Sequence, residues 1–174
     1  MDIRPSAEID GVQHLALDQH FDGRGYFMET YRASWLPQSN FVQGNTSKSD
    51  GGVLRGLHYH LQQEDLWFIP SGAALVTLID LRASSSTYLQ VEQFELTGPR
   101  AVYIPIGVGH AFYASAETLM SYLVSGYHDG SDELGVRWND PDLKIEWPVG
   151  DPIVSDRDQT APKWADVPDE LRPS

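Results

Sequence analysis

No cysteine occurs among the 174 residues. That one absence removes a disulfide framework, a zinc-thiolate site, an iron–sulfur cluster and any cysteine nucleophile. Basic residues are also scarce: 12 Lys and Arg against 25 Asp and Glu leave a formal charge of −13 and a pI near 4.6. Such a chain repels polymeric nucleic acid and anionic membrane at long range. A small anionic ligand is still admissible, because a few arginines in a pocket outweigh the bulk charge over a screening length. No stretch approaches the ~20 apolar residues that span a membrane. The longest mostly apolar run, 67–81, is broken by Pro70, Ser71 and Gly72. Residues 1–6 show neither the charged nor the apolar region of a secretory leader, so a soluble, cytoplasmic protein is expected.

What is present points to β-structure. Fifteen glycines and eleven prolines punctuate short runs rich in Val, Ile, Leu, Tyr, Phe and Thr. Short strands with turn signals between them suggest an all-β sandwich or barrel, and the length suits one domain over 1–174. Strands are predicted over 53–59, 66–69, 73–81, 88–96, 101–105 and 118–127. The run 73–79 is apolar on both faces, as in a strand buried between layers. Alternation over 88–92 suggests a strand with one wet face. Helix is expected only at 30–36, stopped by Pro37, and in a short proline-broken stretch over 162–171. From about 130 the chain turns rich in Asp, Pro and Trp, and reads as a C-terminal extension wrapping the same core.

Residues that carry chemistry concentrate in Gly52-Val53-Leu54-Arg55-Gly56-Leu57-His58-Tyr59-His60, followed by Gln63-Glu64-Asp65. On a strand His58 and His60 share a face, whereas Arg55 and His58 diverge unless Gly56 kinks the chain. A second cluster, Pro105-Ile106-Gly107-Val108-Gly109-His110, places a histidine at a turn opening the next strand. Gly52, His58, His60 and Glu64 together with Pro105, Gly107 and His110 resemble the two boxes of the cupin superfamily. The glycine expected to close the first box is displaced to Gly72, and Ala114 stands where asparagine often closes the second. The resemblance implies a jelly-roll barrel. It leaves two chemistries open: a first-row metal held by His58, His60, Glu64 and His110, or proton transfer without a metal.

Longer motifs choose between them. Residues 21–30, 41–49 and 53–59, with Ile79-Asp80-Leu81-Arg82, Trp138-Asn139-Asp140-Pro141, Ile145-Glu146-Trp147-Pro148 and Ser155-Asp156-Arg157-Asp158, resemble the dTDP-4-dehydrorhamnose 3,5-epimerase family from about Asp22 to Pro162. The resemblance implies an isomerase that needs no cofactor. Its substrate is a dTDP-linked 4-keto-6-deoxy sugar, epimerised at carbon 3, carbon 5 or both in rhamnose-like deoxysugar biosynthesis. His58 is then the base, Asp158 its carboxylate partner, and Tyr122 the proton donor on the other face. Arg55, His60 and His110 fall around the sugar and diphosphate with Gln43 and Asn45 nearby, and Tyr127 near the thymine. Arg24, Phe27 and Glu29 belong to an N-terminal segment, about 1–50, that reaches across a homodimer. The alternative is a metal-binding cupin, a dioxygenase, isomerase or small-molecule binder.

Two residues depart from the family pattern. His60 stands where glutamine is usual, and Asp65 where a lysine would stabilise the enolate oxygen. An inward Asp65 is expected to pair with His60, so that the imidazolium supplies the missing positive charge. Restriction to one carbon, and a changed substrate or lost catalysis, are the other two expectations.

Overall fold

The computed structural model describes residues 1–128, 130 and 132–174. Strands run in chain order as β1 (Asp2–Pro5), β2 (Gln13–Ala16), β3 (Gln19–Asp22), β4 (Gly25–Met28), β5 (Gln43–Ser49), β6 (Val53–Tyr59) and β7 (Asp65–Ser71). They continue as β8 (Ala73–Asp80), β9 (Val91–Thr97), β10 (Arg100–Ile104), β11 (Val108–Ala114), β12 (Thr118–Val124) and β13 (Leu134–Gly135). A six-stranded sheet has the order β1-β2-β10-β7-β12-β5, and a five-stranded sheet the order β13-β6-β11-β8-β9. β3 and β4 form a separate hairpin. This is the two-sheet cupin-type barrel expected.

Side chains alternate across each strand, so the two sheets generate three apolar layers. Between the sheets, Trp67, Ile69, Val102, Ile104 and Met120 meet Val76, Leu78, Leu96, Val108 and Phe112. Leu57, Tyr59 and Ile79 point out of the five-stranded sheet, where Val136, Leu143, Trp164 and Val167 cover them. On the other flank, Leu15, Leu66 and Tyr103 are covered by Leu17 and Leu36, with Met28, Tyr31 and Trp35 against them. β8 is therefore apolar on both faces because each faces a core, as its sequence predicts.

Several local expectations fail for identifiable reasons. Residues 88–90 are a turn rather than the start of β9: Gln90 N–H donates to the Thr87 carbonyl at 2.9 Å, and Leu89 takes φ 63°. The predicted helix at 30–36 is a single 3-10 turn, Ala33–Trp35, and that at 162–171 is two, Trp164–Asp166 and Asp169–Leu171. The one α-helix among the described residues, α1 (Asp156–Thr160), lies just before the second. β5 had no propensity signal, reading Gln-Gly-Asn-Thr-Ser-Lys-Ser, and is held as a strand by pairing with β12 from Gln43↔Val124 to Ser49↔Thr118.

One polar group anchors the far end of β8. Asp80 is fully buried; it accepts from the Arg82 Nε and Nη2 at 2.8 and 2.7 Å and from the Ser85 and Thr87 hydroxyls at 2.6 Å each. Burial pushes this carboxyl up, but the donors outweigh it and hold its pKa at about 2. A folded-state pKa below the unfolded value gives stability that is present above the unfolded pKa and lost as pH falls through the folded one. Asp80 therefore contributes about 2 kcal/mol at neutral pH, decaying between about pH 4 and 2. Urea unfolding should show Asp80→Asn less stable by roughly that amount at pH 7, with the gap closing at pH 2; an unchanged gap would show that the carboxylate is not the source.

Candidate active site

The inner faces of the two sheets leave a cavity of about 350 Å³. Period-two alternation selects its walls. From the six-stranded sheet come Gln43, Asn45 and Ser47 of β5, Met120, Tyr122 and Val124 of β12, and Asp65 and Trp67 of β7. Arg55 and His58 of β6 and His110 and Phe112 of β11 come from the five-stranded sheet, with His60 just beyond β6.

Arg55 and His58 could not share a face of a regular strand. Opposite them, β11 pairs His110 with His58 and Phe112 with Arg55, so β6 carries one residue more than its partner over this span. That bulge restores both side chains to the cavity. Gly56 sits inside it at φ 117°, where an added Cβ would lie 2.6 Å from the Ala111 Cβ. The kink on which convergence depended is present.

Bulging also frees the Gly56 N–H, which donates to Asp158 Oδ2 at 3.2 Å, while His58 Nε2–H donates to Asp158 Oδ1 at 2.7 Å. The proton on Nε2 leaves the lone pair on Nδ1. Asp158 reaches this position on α1, whose N-terminus is capped by the Ser155 hydroxyl accepting from Asp158 N–H. Burial raises the Asp158 pKa, but the His58 and Gly56 donors overcome it and hold the carboxyl below its ordinary range. A loop was expected here; Ser155 followed three residues later by Asp158 was the capping signal that marks the helix start.

Tyr122 stands on the facing sheet, half-buried in the same cavity. Burial, with the Asp65 and Glu133 carboxyls beside it, pushes its pKa up, with Arg55 opposing, so the phenol keeps its proton. His110 donates from Nδ1 to the Val108 carbonyl at 3.1 Å. Burial, with His60 and His58 beside it, pushes its pKa well below the ordinary imidazole value. Gln43 donates to Asn45 at 2.8 Å, fixing both amides along one wall.

The expected Asp65–His60 pair does not form. His60 Nδ1–H donates to the Asp132 carbonyl at 2.5 Å, and the Gln63 amide nitrogen lies 3.1 Å from His60 Nε2 and 2.9 Å from Asp65 Oδ1. An amide nitrogen facing a carboxyl oxygen donates to it, so the Gln63 side chain stands between His60 and Asp65. Asp65 Oδ2 accepts from the Trp67 indole at 2.9 Å.

The metal set of the alternative reading is not assembled either. Glu64 turns away, accepting from the Tyr103 hydroxyl at 2.7 Å, and the Nε2 of His58 is committed to Asp158. His60, Asp65 and His110 do bring ligand atoms within 4.8 Å of one another. The Gln63 amide stands against two of them as a hydrogen-bond donor, which is the wrong polarity for a cation's neighbour, and the residues present do not fit a metal.

Of the remaining expected residues, Arg24, Phe27, Glu29 and Tyr127 do not line the cavity of their own chain. Arg24 pairs with Asp22 and Glu29 with Arg32, while Phe27 is 65% and Tyr127 74% exposed. Conversely, Gln63, His128, Glu133 and Arg157 line it without having been singled out. Arg157 donates to Glu133 Oε2 at 2.8 Å, and only its place beside Asp158 could have flagged it.

These features define a cupin-type enzyme whose cavity sets a carboxylate-backed imidazole against a phenol, and the comparisons with known proteins give the family. The profile described as dTDP-4-dehydrorhamnose 3,5-epimerase matches residues 6–166. A dTDP-4-dehydrorhamnose 3-epimerase of Streptomyces niveus is 37% identical over 172 residues, covering 92% of this chain and 83% of that protein. The dTDP-4-dehydrorhamnose 3,5-epimerase of Shigella flexneri is 35% identical over 157 residues, covering 84% and 87%. The Legionella pneumophila 3,5-epimerase, solved with dTDP-4-keto-L-rhamnose, superposes with a TM-score of 0.91 at 32% identity, covering 99% of this chain and 97% of its own. A 4-keto-6-deoxy sugar epimerase from the novobiocin cluster of Streptomyces spheroides gives 0.92 at 36% identity, covering 100% and 93%. The chain belongs to the dTDP-4-dehydrorhamnose 3,5-epimerase family.

Gly56→Ala tests the bulge. Steric overlap with Ala111 and the positive φ should together cost about 3 kcal/mol. The check is a lowered urea midpoint at unchanged slope, and wild-type stability would show that β6 accommodates a side chain there.

Proposed function

We propose that the protein epimerises a dTDP-linked 4-keto-6-deoxy sugar at carbon 3, carbon 5 or both. One observation carries the reading: a carboxylate-backed imidazole, His58–Asp158, and a phenol, Tyr122, face one cavity from opposite sheets. The ketone at carbon 4 acidifies the neighbouring C–H bonds. His58 Nδ1 takes the proton, the electrons move into an enolate, and Tyr122 delivers a proton to the opposite face. Solvent then reprotonates the phenolate and relieves the imidazolium. Asp158 stabilises that imidazolium and holds the ring in the tautomer with Nδ1 free.

Binding is assigned to the groups around this axis. Arg55 uses two of its five N–H donors on Ser49 and the Lys48 carbonyl, leaving the others for diphosphate oxygens. His60, His110, Gln43 and Asn45 contact the sugar side. The β3–β4 hairpin supports a homodimer: it exposes Phe21, Tyr26 and Phe27, and a two-stranded hairpin with bare aromatics is marginal in water unless it docks. Arg24, Phe27 and Glu29 then reach the partner's nucleotide, with Tyr127 at the rim.

Incubation with dTDP-4-keto-6-deoxyglucose in deuterium oxide, read by NMR, should show deuterium entering at carbon 3, carbon 5 or both. Asp158→Asn should slow exchange by about 100-fold or more while binding persists; no exchange in the wild type would overturn the reading. Separately, sedimentation should find wild type a dimer and Phe27→Asp shifted toward monomer, and a monomeric wild type would remove the cross-subunit assignment.

A further inference from the structure

The reaction proposed above develops negative charge on the carbonyl oxygen, and the cavity offers that oxygen little. His58 and Tyr122 are occupied with protons on carbon. The His60 ring is engaged by the Asp132 carbonyl and the Gln63 amide, and burial pushes His110 toward its neutral form. Arg55 spends two donors on Ser49 and Lys48 of β5, and its others are assigned above to the diphosphate. Between them stands Asp65, 3% exposed, on the same wall as Tyr122 and forming no ion pair among the described residues. Among the described residues its donors are the neutral Trp67 indole and Gln63 amide. A lone buried carboxylate is the most costly group a protein can keep without a cation, and it neutralises itself by taking up a proton.

We propose that Asp65 is a neutral carboxylic acid whose O–H donates to the sugar's carbonyl oxygen and stabilises the enolate. This rests on the epimerase reading and supplies its missing electrophile. Both carboxyl oxygens keep their bonds from Gln63 and Trp67, and the proton occupies a remaining lone-pair direction toward the cavity. It is shared with the enolate oxygen without being consumed, so the balance is unchanged: one proton leaves carbon for His58 and one arrives from Tyr122. Burial pushes the Asp65 carboxyl above the ordinary carboxylate range, against the opposing pull of His60, the Trp67 and Gln63 donors and His58. The titratable and charged groups lining the same cavity are Arg55 and His58 on β6, His60 beyond it, His110 on β11, Tyr122 on β12 and, past β12, His128, Glu133 and Arg157. An acid kept neutral in this way serves as an oxyanion donor in established enzymes.

Infrared spectroscopy of the whole protein at neutral pH provides a readout independent of turnover. Wild type should show a protonated-carboxyl stretch that shifts in deuterium oxide and disappears in Asp65→Asn. In kinetics, Asp65→Asn keeps a neutral N–H donor and should stay within about tenfold of wild-type kcat, whereas Asp65→Ala should lose about 100-fold in kcat with KM little changed. Wild-type kcat should also fall as rising pH ionises Asp65, a limb absent from Asp65→Asn. Absence of the band, or full turnover by Asp65→Ala, overturns the proposal. Deuterium exchange without the band removes Asp65 alone; the band without exchange from any 4-keto sugar removes the epimerase reading and this role with it.

Discussion

One surplus residue in β6 is the constraint on which the rest turns. A regular strand would send Arg55 and His58 to opposite faces, one toward the cavity and one toward the C-terminal cover. The bulge against His110 and Phe112 brings both inward, and its glycine, pressed against Ala111, turns an N–H toward Asp158. The position of His58, the orientation of its ring and the reach of Arg55 thus follow from one irregularity. Such features persist where the surrounding sheet determines them, and here β11 and α1 hold β6 from both sides.

The two outer layers make that irregularity affordable. Leu57 and Tyr59 alternate with the site residues and bury themselves under Val136, Leu143, Trp164 and Val167. The C-terminal segment that supplies this cover also carries α1, so the stretch that closes the outer core delivers Asp158 to His58. Ser155 couples the two by capping the helix through the N–H of Asp158 itself. Stability and site assembly share residues, and the pairing that holds the imidazole is also a tie between the tail and the barrel.

The cavity's facing groups are separated by sheet. His58 and Asp158 belong to the five-stranded side, Tyr122 and Asp65 to the six-stranded side, with the cavity between. The electrostatics differ accordingly. Asp158, which accepts from the His58 ring and the Gly56 N–H, is held ionised; Asp65, which accepts only from an indole and a side-chain amide, is pushed toward its acid form. Two carboxyls in one protein thereby take opposite states because their donors differ, a separation that residue type alone does not reveal.

Much was readable from the chain. Apolar runs at 53–59, 73–81 and 118–127 marked strands, since burial on one or both faces leaves a period-two or continuous apolar trace, and His58, Tyr122, Arg55 and Asp158 carried family motifs. β5 was invisible because its stability comes from pairing with β12, not from its own polar side chains. The turn at 88–90 hid behind an alternation that Leu89's positive φ interrupts. By itself the sequence determined the fold class, the sheet-forming segments and the residue types able to move a proton, because these depend on local pattern and side-chain chemistry. Only the tertiary structure decided which of them meet: Gln63 standing between His60 and Asp65, and Glu64 turned to Tyr103, follow from packing between segments far apart in the chain, which no local pattern encodes.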